Sequence, residues 1–127
     1  MNVIDRIREK LKSYPAVKST ETANSITVLP NSEAGFEVRL DDNGETYTVS
    51  FEGWHQNFED AEEALDCFAF GLSSECRLRE LRKGGSPYRW IVESMVDGSW
   101  ITDSETGQLI YPFWKRTETV YRQNKLF

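Results

Sequence analysis

Phe36-Glu37-Val38-Arg39-Leu40-Asp41-Asp42-Asn43-Gly44-Glu45-Thr46-Tyr47-Thr48-Val49-Ser50-Phe51 decides the fold class. Phe36, Val38 and Leu40 alternate with Glu37, Arg39 and Asp41, and Tyr47, Val49 and Phe51 alternate with Thr46, Thr48 and Ser50. A period of two puts every apolar side chain of each run on one face, so each run reads as a strand with one buried and one wet face. Between them Asp42-Asn43-Gly44 supplies residues that tolerate the positive φ of a tight connection. The stretch is an antiparallel hairpin.

Upstream, residues 2–14 read as an amphipathic helix. Asn2 caps it with Asp5 three residues on, Ile4, Ile7, Leu11 and Tyr14 form one apolar stripe, and Pro15 stops it. Ser19 to Asn24 reads as a loop, and Ile26 and Val28 as a short strand ending at Pro30. Downstream, Asp60 and Glu63 have capping-box spacing at the head of a second helix over residues 60–71. Ala61, Ala64, Leu65, Phe68 and Leu72 recur on its inner side. Strand patterns then return at residues 76–83, 88–95, 99–102, 108–113 and 117–122, with a turn at Gly84-Gly85-Ser86-Pro87 and a loop at 103–107. The order helix, three strands, helix, three to five strands predicts an α+β two-layer sandwich. Its sheet is mainly antiparallel, with both helices on one face, α-βββ-α-βββ. No linker or low-complexity tract divides residues 1–127, which read as a single domain.

The 127 residues carry 39% hydrophobic and 28% charged side chains, enough apolar content for a core without metals or disulfides. Four Trp, five Tyr and seven Phe make rings the main filling material, and Trp54 is expected inside. The longest apolar window, Cys67 to Leu72, is far short of the roughly 20 residues of a membrane span. Charges interrupt the first residues where a signal core would sit, so a cytoplasmic protein without a membrane anchor is expected. Cys67 and Cys76 fit a reducing compartment as small packing residues.

The net charge of −6 is unevenly spread: residues 33–66 hold eleven acids and one base, whereas residues 1–18 and 76–127 are each +3. An acidic middle argues against a general polyanion binder. Around residues 77–89, Arg77, Arg79, Arg82, Lys83 and Arg89 are interspersed with Tyr88 and Trp90, with Trp100, Tyr111, Phe113 and Trp114 further on. Interleaving of that kind can stack and neutralise single strands. Against that reading stand the overall charge and the core-like alternation of the rings, so nucleic acid is not the expected partner.

Chemistry-bearing motifs are sparse. His55, in Gly53-Trp54-His55-Gln56-Asn57-Phe58, is the only histidine and the one candidate general base, with Glu52, Glu59 and Asp60 near it in sequence. One His and two Cys match no zinc spacing. Asp41, Asp42 and Glu45 lack the long loop and bidentate Glu of a calcium site, so neither a metal nor a cofactor is expected. Cys76 lies beside Arg77 in sequence, but neighbours on a strand face opposite ways, which favours a structural thiol. The glycine pair at 84–85 lacks the Lys-Ser/Thr of a phosphate loop.

Protein binding is the better-supported class. Pro112-Phe113-Trp114-Lys115-Arg116 sets two large rings beside two cations, and on a strand those rings cannot both face inward. Phe113, Trp114 and Arg116 are therefore a candidate contact patch, and Asp41, Asp42 and Glu45 a candidate acidic one. The expected partner is another protein or a second copy in a homodimer. The competing class is a small enzyme or small-molecule binder built on His55.

Gly53-Trp54-His55, Glu63-Ala64-Leu65 with Phe68, Gly71-Leu72-Ser73, Cys76-Arg77-Leu78, Tyr88-Arg89-Trp90 and Pro112-Phe113-Trp114 together resemble a pattern in a group of small uncharacterised bacterial proteins, over roughly residues 50–124. The resemblance implies a bacterial cytoplasmic protein and brings no activity. The acidic, helix-first outline is also similar to type III secretion chaperones, whose final helix has no counterpart here. Among protein-binding roles, neutralising a basic toxin through residues 33–66 is the specific expectation, as an immunity protein would.

Overall fold

The computed structural model describes residues 2–126. The helix α1 (Val3–Leu11) opens on Asn2, whose side chain accepts a hydrogen bond from the Asp5 amide at 2.9 Å. That satisfies one of the amides a helix start leaves orphaned. Five strands follow in chain order: β1 (Ser19–Glu21), β2 (Ser25–Val28), β3 (Val38–Asp42), β4 (Tyr47–Phe51) and β5 (Trp54–Phe58). They form an antiparallel meander in which each strand pairs with the next. The hairpin quoted above is β3–β4, with Val38 opposite Phe51 and Leu40 opposite Val49.

The helix α2 (Ala61–Leu72) starts as its capping box predicts, Asp60 accepting from the Glu63 amide at 3.1 Å. It packs against β3, β4 and β5. Then come β6 (Cys76–Lys83), β7 (Ser86–Val96), β8 (Ser99–Gly107) and β9 (Thr117–Arg122), in a second antiparallel sheet of order β8-β7-β6-β9. The fold is α+β and antiparallel, with helices packed on the inner face of the first sheet. The strands divide between two sheets because β5 ends one meander and α2 carries the chain across before β6 begins another.

Ile26, Val28, Phe36, Val38, Leu40, Val49 and Phe51 form the centre of the core, together with Leu72, Cys76, Leu78 and Val92 from the rest of the chain. Two contacts bring the sheets together. Trp54 stacks on Phe51 at 4.6 Å, and its indole Nε1 donates to Ser104 Oγ of β8 at 2.8 Å. Trp90 of β7 lies flat over Gly53, where an added Cβ would come within 2.3 Å of its ring. Only glycine admits that approach. At the other end Asn124 is buried, its Nδ2 donating to the Gly71 carbonyl at 2.9 Å and its Oδ1 accepting from the Phe36 amide at 3.0 Å.

Several boundaries differ from the sequence reading. Ser19–Glu21 and Trp54–Phe58 are strands where a loop and a strand-to-helix junction are expected; both are edge strands whose exposed side chains give no apolar alternation. Residues 103–107 continue β8 and are not a loop, since β7 supplies the pairing partner. Residues 108–113 do not form a strand: the segment between β8 and β9 is a loop without ladder pairing. Among the described residues no helix is long and apolar enough to cross a membrane.

Candidate functional site

Gly107 of β8 and Thr117 of β9 bracket a connection whose apolar side chains have nowhere to go. Leu109 is 98% exposed, Ile110 90%, and Phe113 and Trp114 each 72%. Six consecutive residues, Leu109-Ile110-Tyr111-Pro112-Phe113-Trp114, thus carry four large apolar groups into solvent. Scattered exposed hydrophobics are ordinary, whereas a contiguous cluster marks a contact surface.

The loop is braced rather than slack. Tyr111 stacks on Tyr88 of β7 at 4.4 Å between ring centroids, and the Gln108 amide donates to the Tyr88 carbonyl at 2.7 Å. Inside it, the Phe113 amide donates to the Tyr111 carbonyl at 2.8 Å and the Lys115 amide to the Pro112 carbonyl at 3.0 Å. Phe113 and Trp114 meet edge to face at 5.3 Å. The Lys115 side chain lies over Gly84 in the β6–β7 turn, where a Cβ would fall 2.5 Å from Lys115 Cδ. Gly84 (φ +58) and Gly85 (φ +84) make that turn in a backbone region open to glycine. The glycine pair therefore seats the base of the loop.

The other candidate patch is weaker. Arg39 holds Asp41 from the neighbouring position on the same face, with Nη2 to Oδ1 at 2.7 Å. Asp42 accepts from the Gly44 amide at 3.0 Å, fixing the turn. Of the three acids Glu45 alone is left at the exposed tip. Asp41 and Asp42 thus serve the hairpin's own geometry before any partner's.

His55 lies on β5 opposite Ser50, which in turn faces Arg39 on β3. Its ring is on the open polar face of the first sheet, without a side-chain hydrogen bond among the described residues. It lines neither the interhelical groove nor the cup formed by the loop. Its backbone amide reaches Thr106 Oγ1 at 3.4 Å, a link between the sheets. No group of three or more His, Cys, Asp or Glu able to hold a metal occurs among the described residues.

The second sheet divides the basic and aromatic residues of its strands between its faces. On the face away from the core Arg77 lies between Trp100 and Tyr121, 4.5 and 4.2 Å from their centroids, and pairs with Glu93 at 2.7 Å. On the inner face Glu80, 5% exposed, receives Arg82 Nε at 2.7 Å and Trp90 Nε1 at 3.2 Å, with Arg122 3.8 Å away. Arg89 pairs with Glu105 at 2.7 Å. The arginines that suggested a stacking surface are thus matched with carboxylates.

Both thiols are raised. Burial, with Asp103 adding a smaller push, takes Cys67 up to about 12, and burial, then Cys67, then Asp103 raise Cys76 further. Cys76 is fully buried in the core, as its packing role requires.

One concave apolar feature was not read from the sequence. Between α1 and α2 lies a groove of about 410 Å³ whose apolar lining, Ile7, Leu11, Tyr14, Leu65, Phe68 and Leu72, is edged by Arg6, Lys10, Glu62 and Asp66. The stripe that buries Ile4 and Ile7 fades along α1 to a half-buried Leu11 and an exposed Tyr14, which opens the groove. The sequence carries no signal of it, because Ile4, Ile7, Leu11 and Tyr14 read there as one continuous apolar stripe. Comparison with protein-family models, with curated proteins and with solved structures finds no match to this chain, so its own geometry alone assigns it a chemistry.

Proposed function

We propose that this chain is a non-catalytic protein-binding module whose anchor is the 109–114 loop, with Phe113 and Trp114 as the principal contacts and Arg116 at the rim. One observation carries the reading: four large apolar side chains between 72 and 98% exposed within six residues. Rigid aromatic anchors lose little entropy on docking, and the internal bonds of this loop remove more of that cost in advance. The free thiols and the resemblance noted above support a reducing bacterial cytoplasm, and a role of the immunity or chaperone kind suits a small binding domain. In an immunity role the acids of residues 33–66 would steer association while the loop supplies affinity.

The test compares the wild type with a Phe113→Asp/Trp114→Asp double variant in affinity capture from native lysate, read by mass spectrometry. Both side chains are outside the core, so the two chains should unfold at the same denaturant concentration. The wild type is expected to retain one protein in stoichiometric amount and the double variant to lose it. Equal capture by both, or none by the wild type, would sink the proposal.

A further inference from the structure

Where the end of β9 and the residues after it pass the connection between β2 and β3, a cavity of about 510 Å³ opens. It shares no lining residue with the 109–114 loop or the interhelical groove. Its walls carry Arg77, Arg122 and Lys125, and no acid is among them. Arg77, between the Trp100 and Tyr121 rings, bonds Glu93 through Nε and Nη2, which leaves Nη1 without a hydrogen bond among the described residues. Arg122 Nη1 donates to the Glu33 and Gly35 carbonyls at 3.1 and 3.5 Å. Lys125 stands between two anchors: Asn124 is buried, and the Leu126 amide donates to the Leu72 carbonyl at 2.8 Å. Its backbone takes φ +59, which lysine rarely adopts, and its ammonium has no ion pair among the described residues.

The carboxylates behind these cations are fewer than the guanidiniums. Glu93 serves both Arg77 and Arg79, at 2.7 and 3.9 Å, and Glu80 serves both Arg82 and Arg122, at 2.5 and 3.8 Å. Four guanidiniums thus share two carboxylates, and the Nε of Arg79 and of Arg122 is buried with no acceptor among the described residues. Other acids near in sequence do not restore the balance at the cavity. Glu33 and Glu75 are exposed and outside its lining, and Glu118 is four residues from Arg122 along β9, roughly 13 Å. We infer that the cavity binds a small molecule through a phosphate ester. A dianion with three acceptor oxygens matches three cations and the Ser32 side chain, where a single carboxylate would leave cations unmet. The volume lies in the range of small-molecule sites, so Tyr121 and Ala34 border space for the rest of such a ligand. A nucleic-acid strand is the poorer ligand, because these cations are confined to one cavity in a chain of net charge −6. The site is independent of the loop, and its failure leaves the protein-binding reading untouched.

The purified protein is titrated with inorganic phosphate and with glycerol phosphate at constant ionic strength, and the backbone amide resonances are followed. Both ligands are expected to saturate in the millimolar range, the ester at least as tightly as phosphate, with shifts concentrated at Ser32, Ala34 and Gln123. Lys125→Glu reverses an exposed charge and should weaken both about tenfold or more, whereas Lys125→Arg should retain binding. Ser32→Asp puts an acid on the opposite wall and should weaken both as much, so the test does not hang on the Lys125 backbone. Lys10→Glu, outside the lining, makes the same change in net charge as Lys125→Glu and should match the wild type. Equal loss in Lys10→Glu would mean attraction by net charge alone and overturn the site. Shifts confined to other surfaces, or no saturation at tens of millimolar, would do the same. Tighter binding of citrate or of inorganic phosphate than of glycerol phosphate would overturn the ester assignment.

Discussion

Trp54 is the side chain on which the joining of the two sheets depends most directly, and its removal can be priced from the structure. It is 3% exposed, stacked on Phe51 and bonded to Ser104. A ring of this size hides roughly 200 Å² of surface, which at about 25 cal/mol per Å² gives an upper value near 5 kcal/mol for Trp54→Ala. Partial collapse of the cavity lowers the expectation to about 3–5 kcal/mol. Trp54→Phe keeps the stack, loses the indole bond and leaves a smaller void, so it should cost about 1–2 kcal/mol. The bond itself is isolated by pairing Trp54→Phe with Ser104→Ala in a double-mutant cycle, for which a coupling of about 1 kcal/mol is expected. Urea unfolding followed by far-ultraviolet circular dichroism, with the slope checked for constancy, gives all four free energies. A cost below about 1 kcal/mol for the alanine variant would mean that the ring is not clamped. A coupling indistinguishable from zero would mean that β5 and β8 are held by something else.

Gly71 lies against the Phe51 ring, where a Cβ would fall 2.3 Å from Cε1. Gly71→Ala should therefore destabilise by about 1–3 kcal/mol in the same unfolding assay, although alanine favours a helix, and a stabilised variant would refute the packing. Glu80→Gln removes the charge that faces Arg82 and Arg122. Because both arginines are about a quarter exposed and can regain water, the loss should be about 2 kcal/mol, and a neutral result would deny the network any role. For the thiols the sign is fixed by burial, which raises Cys67 and Cys76 above their unfolded values. Their contribution to stability is complete below the unfolded thiol pKa of about 8.5 and declines as pH rises beyond it. Iodoacetamide at alkaline pH should accordingly label the folded chain far more slowly than the chain in guanidinium, and equal labelling would place the thiols outside the core.

The elements legible in the sequence are those whose side chains report their own environment. The β3–β4 hairpin alternates because its inner face meets the helices, and α2 declares itself through Asp60, Glu63 and the stripe ending at Leu72. β1 and β5 were hidden for a common reason. Ser19, Thr20 and Glu21 are all exposed, as are His55, Gln56 and Asn57, so backbone pairing to a neighbour holds these strands while their side chains follow no period. The same holds for Asp103 to Gly107, whose turn-like composition is overridden by pairing with β7. Which strands share a sheet depends on where α2 crosses, and no local pattern contains that.

The 108–113 segment fails in the opposite direction, and the failure is informative. Leu109, Ile110, Tyr111 and Phe113 have strong strand propensity, and a run of such residues normally means a buried strand because burial is what selects for them. Here the propensity is present and the burial is not, because the segment stays at the surface between β8 and β9. The argument that adjacent rings on a strand face opposite ways does not apply, since Phe113 and Trp114 are both exposed on a turn-braced loop. Sequence alone cannot separate an apolar run that fills its own core from one that fills another's; only Lys115 and Arg116 beside it hint at a surface. Conversely, the interhelical groove is made by an absence, the space left where α1's stripe turns away from α2, and an absence has no residue to signal it. The loop and the groove are thus two places, one convex and one concave, where the described side chains leave apolar surface to solvent.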